Sequence, residues 1–289
     1  MFHEPVLVDE VLEFLGPAGG TVVDATCGGG GHARAILGRP GTGRLLGLDL
    51  DAEAIASAQR YLGSGSGNLV LRQASYVDMV AIVSSLRLAP VTGVLFDFGV
   101  SSHQVRTPGR GFSYDLDGPL DMRFDAEGRG PTARELVRRA TTEELRRWLR
   151  EFGEEPRAGR LARLIHERRD RIETTGDLAA VVKRVVPFRQ ARRTLARVFQ
   201  ALRIVTNDEL AAVSRGLAAA LEVLAPGGRL VTIGYHSLED RICKHFIREG
   251  AAAGRVRMLA RRAVRPSEAE IERNRAARSA RLRAAEKLL

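Results

Sequence analysis

Residues 21–38 read TVVDATCGGGGHARAILG. An apolar run, TVVDATCG (21–28), passes through four glycines and enters GHARAILG (31–38), which has the make-up of a short helix. Strand, bare turn and helix in that order build the ligand edge of an α/β unit. Glycine lets the backbone approach a ligand and tolerates positive φ. The spacing Gly28-x-Gly30-x-x-Ala33 matches a dinucleotide-binding fingerprint, and Asp49 lies 21 residues after Gly28, where an acid reaches a ribose. The spacing alone fits NAD, FAD and S-adenosylmethionine (AdoMet) equally.

Outward from this stretch, strand and helix signals alternate. RLLGLDLD (44–51) reads as a strand, AEAIASAQRYL (52–62) as a helix and SGSGN (64–68) as a loop. NLVLRQAS (68–75) is a third strand, YVDMVAIVSSLRL (76–88) has helical periodicity, and VTGVLFDFGVSS (91–102) is a fourth strand with its turn. This order predicts a doubly wound parallel sheet. The pattern breaks at residues 103–131, which are dense in Gly, Pro and Asp and too long for an ordinary connection. Amphipathic helices follow: ARELVRRA, TTEELRRWLREFG, PRAGRLARLIHERRDR and TTGDLAAVVKRVV. Thr142 with Glu143 and Glu144, and Thr175 with Asp177, read as helix starts. The expected organisation is an α-helical insertion over 105–203 between two parts of one α/β domain, 1–104 and 204–289.

Within the second part, residues 206–228 predict one long helix, starting at Asn207 or Asp208 and stopping at Pro226-Gly227-Gly228. RLVTIGYHS (229–237) is a fifth strand, LEDRICKHFIREG (238–250) a helix, and VRMLARRAV (256–264) and SARLRAAEK (279–287) two closing strands.

Bulk composition narrows the function classes. The 289 residues are 44% hydrophobic and 28% charged, as in ordinary globular proteins. No apolar run approaches the roughly 20 residues of a membrane span. MFHEPVLVDEVLEFL carries Glu4, Asp9, Glu10 and Glu13 rather than the basic start of a signal peptide. Two cysteines, Cys27 and Cys243, cannot build a disulfide framework, so a cytoplasmic location is expected. The net charge of +10 is unevenly spread: +10 in 129–203 and +7 in 255–289, against −6 in 1–128 and −1 in 204–254. Lysine occurs only at 183, 244 and 287. Arginine forks match phosphate and stack on bases, so the basic segments suit RNA or DNA, or are a solvated surface.

The choice among cofactors comes from later motifs. LEVLAPGGRLVTI places a Pro-Gly-Gly turn before a fifth strand, as AdoMet-dependent methyltransferases do, and FDFGVSS puts Asp97 at the end of the fourth strand. In nucleic-acid amino methyltransferases that place holds an acid or amide facing the target amine. FHEPVLVDEVL, DATCGGGGH, LLGLDLD, FDFGVSSHQ, RGFSYDLDGPLDMR, RVFQALRIVTNDEL, LAPGGRLVTIGYHSLEDR and NRAARSARLRAAEK stand in order from residue 2 to about 287. Together they closely resemble the ribosomal RNA small subunit methyltransferase H family (RsmH, also called MraW).

The resemblance implies a Rossmann-like methyltransferase sheet with an all-α inserted domain for RNA recognition. It implies AdoMet-dependent methylation of N4 of a cytidine in the decoding region of small-subunit (16S) ribosomal RNA, with the 30S subunit as partner, and no metal. The AdoMet positions it carries over are Gly30, Gly31, His32, Asp49, Tyr76, Asp97 and Gln104. Cys27 stands where the family commonly has an aromatic residue, and Tyr235 where it usually has Phe.

Several roles stay open at this stage. Asp97 serves the target amine, the methionine end of the cofactor, or both. Phe112 and Tyr114 are candidates to hold the target base. His236, Ser237 and Glu239 are substrate contacts or a helix cap. Asp115, Asp117 and Asp121 order the long loop or line the base. His236, Cys243 and His245 match no usual zinc spacing, and Trp148 is expected in the core of the insertion. A nicotinamide oxidoreductase, an AdoMet-regulated assembly factor and a DNA N4-cytosine methyltransferase are the rivals, and monomer and homodimer are both compatible.

Overall fold

In the computed structural model seven strands form one sheet: β1 (Thr21–Asp24), β2 (Arg44–Asp49), β3 (Leu69–Gln73), β4 (Val91–Asp97), β5 (Leu224–Gly234), β6 (Val256–Met258) and β7 (Arg281–Lys287). The helices are α1 (Val8–Leu15), α2 (Gly31–Leu37), α3 (Ala52–Leu62), α4 (Met79–Ser85), α5 (Ser102–Arg106), α6 (Ala133–Arg139) and α7 (Thr142–Glu151). They continue with α8 (Ala158–Arg168), α9 (Thr175–Lys183), α10 (Phe188–Asn207), α11 (Glu209–Val223), α12 (Ser237–Ala252) and α13 (Glu268–Arg273). The structure describes residues 5–17, 19–63, 67–128 and 130–289. The FHE of the N-terminal motif and most of the loop expected at 64–68 lie outside them. The chain divides into two compact units, Met1–Gly99 with Leu210–Leu289, and Val100–Glu209.

The first unit holds the sheet, in the order β3-β2-β1-β4-β5-β7-β6. The pairs β3–β2, β2–β1, β1–β4 and β4–β5 are parallel, and β7 runs antiparallel to β5 and β6. Both faces are buried, because neighbouring residues of a strand point to opposite faces and both are apolar. Val22, Leu45, Leu95 and Ile233 pack with Val11 and Leu15 of α1, Ile36 of α2 and Ile55 of α3. Val23, Leu46, Phe96 and Leu230 pack on the other face with Met79 of α4 and Leu217 and Ala220 of α11. Each fully buried side chain of this kind stabilises by about 1.5–3 kcal/mol. Chain order reverses between β1 and β4, and that switch point fixes where a ligand edge opens.

The helix expected over 206–228, starting at Asn207 or Asp208, is α11, which begins at Glu209 and ends at Val223, a few residues short of Pro226. α10 ends at Asn207, Asp208 adopts a left-handed conformation (φ 49°), and α11 begins at Glu209. The side chain of Asn207, the last residue of α10, reaches distant partners. Its Oδ1 accepts from the Phe124 N–H (2.8 Å) and its Nδ2 donates to the Met122 carbonyl (2.7 Å). Arg203 clamps Glu209 across the break with two bonds of 2.7 and 2.9 Å. At the other end α11 stops at Val223. Leu224 already pairs with Val91, and Pro226-Gly227-Gly228 is absorbed as an irregularity in β5 before Arg229 pairs with Gly93.

The second unit is helical with its own core, in which Leu145, Trp148, Leu161, Ile165, Phe199 and Leu202 take part. Trp148 is buried there, as expected. Two of its helices start at the expected residues, Thr142 and Thr175, and the residue before each is the cap. Thr141 caps α7 in a reciprocal box with Glu144, and Thr174 caps α9 with Asp177. The Gly/Pro-rich stretch is folded by internal bonds. Buried Arg110 donates to the carbonyls of Arg123 (3.1 Å) and Phe124 (2.8 Å). Gly111 (φ +73°) allows an approach in which a Cβ would lie 2.4 Å from the Pro119 carbonyl.

Candidate active site

Three carboxylates end three adjacent strands: Asp24 on β1, Asp49 on β2 and Asp97 on β4. The glycine turn is tied to two of these strand ends. Gly28 N–H donates to Asp49 Oδ2 (2.8 Å), and Asp49 Oδ1 accepts from Asp51 N–H (2.9 Å). Thr26 Oγ1 accepts from the Asp97 N–H (2.6 Å), joining the turn to the end of β4. Gly28 and Gly30 have φ of +53° and +88°, which glycine adopts without strain. Gly30 and Gly31 are also packing positions. A Cβ on Gly30 would meet Leu62 at 3.1 Å, and one on Gly31 would meet Pro5 at 3.1 Å.

Cys27, in the same turn, is buried. Its sulfur lies against Gly47, where a Cβ would come within 2.8 Å of it. Burial first, then Asp24 and Asp49, push its thiol well above the ordinary range, which favours the neutral thiol.

Asp97 is gripped from two sides. The Tyr235 hydroxyl donates to Asp97 Oδ1 at 2.8 Å. His32, in the first turn of α2 and 6% exposed, brings Nε2 to 3.4 Å from Asp97 Oδ2. Desolvation pushes the Asp97 carboxyl up to about 7, the Tyr235 bond opposes that shift, and Glu239 adds to it. Asp24, 1% exposed, is likewise raised to about 7, by burial first and by Asp97 and Asp49 as like charges. Its Oδ1 accepts from Thr26 N–H (3.3 Å), while Oδ2 has no partner among the described residues.

Sequence reasoning passed over Asp24. Its signal was an acid closing a strand directly before a glycine turn.

Tyr76 follows β3 and sets its ring edge-on to Phe96, with centroids 5.3 Å apart. Gly216 of α11 makes space for that ring, since a Cβ there would come within 2.5 Å of it. His236 caps α12 in a reciprocal box with Glu239. Glu239 Oε2 accepts from the N–H groups of Tyr235 (2.8 Å) and His236 (3.3 Å), which orients the residue that holds Asp97. Ser237 is the first residue of α12. Cys243 lies in the sheet's core, its thiol pushed up to about 12 by burial.

Gln104, Phe112 and Tyr114 belong to the helical unit. Gln104 is buried and completes the capping box of α5 with Ser101. Phe112 is 8% exposed, with its ring stacked on Phe124 at 5.7 Å. The ring is packed in the core of the helical unit. Tyr114 is partly buried, edge-on to Phe199 at 5.6 Å. The three loop aspartates take separate partners. Asp121 pairs with Arg123 (2.8 Å), Asp117 accepts from Gly176 N–H (2.9 Å), and Asp115 lies 3.7 Å from Arg192.

A parallel sheet of this order, closed by an antiparallel strand and with acids around a glycine turn at its switch point, defines a Rossmann-like methyltransferase fold. The chain belongs to the MraW methylase family, whose model matches residues 1–288. It is 47% identical over 306 residues to the ribosomal RNA small subunit methyltransferase H of Thermomicrobium roseum, covering 99% of this chain and 94% of that protein. The protein of the same description from Kosmotoga olearia is 44% identical over 297 residues, covering 99% and 97%. That from Oleidesulfovibrio alaskensis is 42% identical over 309 residues, covering 99% and 95%.

Proposed function

We propose that this chain is an AdoMet-dependent methyltransferase acting on N4 of a cytidine in the decoding region of small-subunit (16S) ribosomal RNA, in the cytoplasm. The observation that carries the reading is Asp97, held at the end of β4 by the Tyr235 hydroxyl within a family of methylases.

The residues present suit AdoMet. The cofactor brings two positive centres, and the strand ends offer three acids, two with carboxyls raised to about 7. Asp24 Oδ2, buried and without a partner among the described residues, is an acceptor in want of a donor. Gly30, Gly31, His32, Asp49, Tyr76, Asp97 and Gln104 are the proposed cofactor contacts, and Asp24 joins them. When bound, AdoMet supplies a methyl group on a cationic sulfur.

The chain's own contribution is to the amine. The N4 lone pair of cytosine is delocalised into the ring and is a poor nucleophile. An ionised Asp97 accepting an N4–H bond localises that pair and stabilises the charge growing on nitrogen. The proton then passes to Asp97, whose pKa near 7 suits both taking it up and releasing it at neutral pH. Tyr235 fixes Oδ1, so Oδ2, on the His32 side, is the atom available to the amine. Tyr114, His236 and Ser237 are proposed on the RNA side, and Val100–Glu209 as the RNA-recognition unit.

Transfer of labelled methyl from AdoMet to small ribosomal subunits tests the reading, with naked RNA and DNA as controls. The expected product is N4-methylcytidine in the digested small-subunit RNA. Label on DNA, or on a carbon of the base, overturns it.

A further inference from the structure

Phe188 opens α10 and is 95% exposed. Apart from the chain-terminal Leu289, no other large hydrophobic side chain among the described residues is exposed to nearly that degree. It is also surrounded by cations. The helix begins Phe-Arg-Gln-Ala-Arg-Arg after Pro187, and residues one turn apart share a face, so Phe188 stands beside Arg192, and Arg189 beside Arg193. Arg192 is 83% exposed.

Further along the same helix, Arg193 and Arg197 line a cavity of about 410 Å³ with Pro156, Arg157 and Gln190. Across Pro156 lies a second cavity of about 400 Å³, lined in part by Arg146, Arg150 and Gly159. Arg146, Arg192 and Arg197 each have a carboxylate partner. Arg150, Arg157, Arg189 and Arg193 have no ion pair among the described residues.

We propose that this face of α10 docks an unpaired stretch of RNA, with Phe188 stacking on a base and Arg157, Arg189 and Arg193 holding neighbouring phosphates. It rests on RNA being the substrate of the proposed function and names where that RNA is gripped. A solvated arginine face needs no aromatic ring, and a fully exposed phenyl loses the burial that ordinarily retains it. A nucleobase offers a π-face that covers the ring, and its backbone offers charges that match the free guanidinium groups. A protein partner is disfavoured because, among the described residues, none of the other exposed large hydrophobics lies next to Phe188 in the sequence, where arginines stand instead.

The test uses the full chain and a short fluorescein-labelled RNA of mixed sequence, single-stranded and as a duplex, read by anisotropy over a range of salt. Phe188→Ala should weaken single-strand binding about 5- to 150-fold and leave duplex binding unchanged. Phe188→Trp should retain the affinity, and its exposed indole should lose fluorescence as RNA is added. The double variant Arg189→Gln/Arg193→Gln should reduce the log–log salt slope by about 1.4, from about 0.7 per phosphate. AdoMet affinity should be unchanged in all three.

Wild-type affinity in both Phe188→Ala and the arginine variant overturns the proposal. So does a variant that binds RNA normally yet loses turnover on small ribosomal subunits, which would point to a protein contact. Failure of the unaltered chain to methylate small subunits is a separate result, which sinks the proposed function while the binding comparison still decides this face.

Discussion

Tyr235→Phe is a one-atom test of how Asp97 works. The hydroxyl donates to Asp97 Oδ1 at 2.8 Å and stabilises the ionised carboxylate, against a desolvation that lifts its pKa to about 7. The substitution keeps the ring and restores the residue that the family resemblance has at this place. It removes a hydrogen bond to a charged group, worth about 1.5–3 kcal/mol, which is roughly one to two pKa units. Losing a donor to the charged form moves the pKa upward, from about 7 to about 8–9. If the ionised form is the active one, the acidic limb of the pH–rate profile moves up by the same amount. Methyl transfer at pH 7 then falls about five- to fifty-fold and recovers toward the unaltered rate above about pH 9. The assay is single-turnover methyl transfer across pH 6–10, with AdoMet binding measured at each pH. An acidic limb that stays in place, or a rate lowered equally at every pH, would refute the assignment of that limb to Asp97.

Other perturbations separate the remaining roles. Asp97→Asn should lower turnover by about 10²–10⁴-fold. Unchanged AdoMet affinity in that variant assigns Asp97 to the amine, a matching loss of affinity assigns it to the cofactor, and near-normal turnover removes it from the mechanism. Gly30→Ala combines left-handed backbone (φ +88°) with a Cβ 3.1 Å from Leu62, so at least about 1–2 kcal/mol of stability should go; an unchanged melting temperature would contradict this packing. The raised carboxyls of Asp24 and Asp97 give a pH dependence of known sign. Each takes up a proton on folding between its unfolded value near 4 and its folded value near 7. The ligand-free protein therefore loses stability as pH rises from about 4 to 7, by a few kcal/mol per group. Asp24→Asn with Asp97→Asn should flatten that slope in thermal melts and raise the melting temperature at pH 8. An unaltered slope would show that neither group is perturbed.

The sheet was readable because β1 to β5 carry apolar runs bounded by Gly, Pro and Asp, and that pattern is local. The insertion of β7 between β5 and β6 depends on tertiary pairing and leaves no local mark. Thr142 and Thr175 read correctly as helix starts, and the three-residue steps to Glu144 and Asp177 mark Thr141 and Thr174 as their caps. The break at Asp208 was legible as a helix start at Asn207 or Asp208, but α10 before it was not, and the bonds from Asn207 to residues 83 and 85 positions away leave no local mark. The stacking of Phe112 on Phe124 leaves no local mark, because the fold of the Gly/Pro-rich stretch between them brings the two rings together. The Tyr235–Asp97 bond was equally unreadable. The two residues lie 138 positions apart, with no local mark that their side chains would meet.

The uneven charge of the chain follows from its two proposed ligands. AdoMet is a small cation and RNA a polyanion, and one sign of field cannot attract both. Residues 1–128 carry a net −6 and hold Asp24, Asp49 and Asp97, while 129–203 carry +10. The two attractions should respond differently to salt. Asp24 is almost wholly buried and Asp97 largely so, and mobile ions screen buried charge poorly. RNA binding at exposed arginines releases counterions, with an exponent of about 0.7 per phosphate contacted. Between 50 and 200 mM salt, a four-fold change, three such contacts predict a loss of about twenty-fold in RNA affinity. AdoMet affinity should move less than about two-fold over the same range. Titrating both ligands in one salt series checks the division; AdoMet binding that fell as steeply as RNA binding would mean that surface charge, not the buried acids at the strand ends, attracts the cofactor.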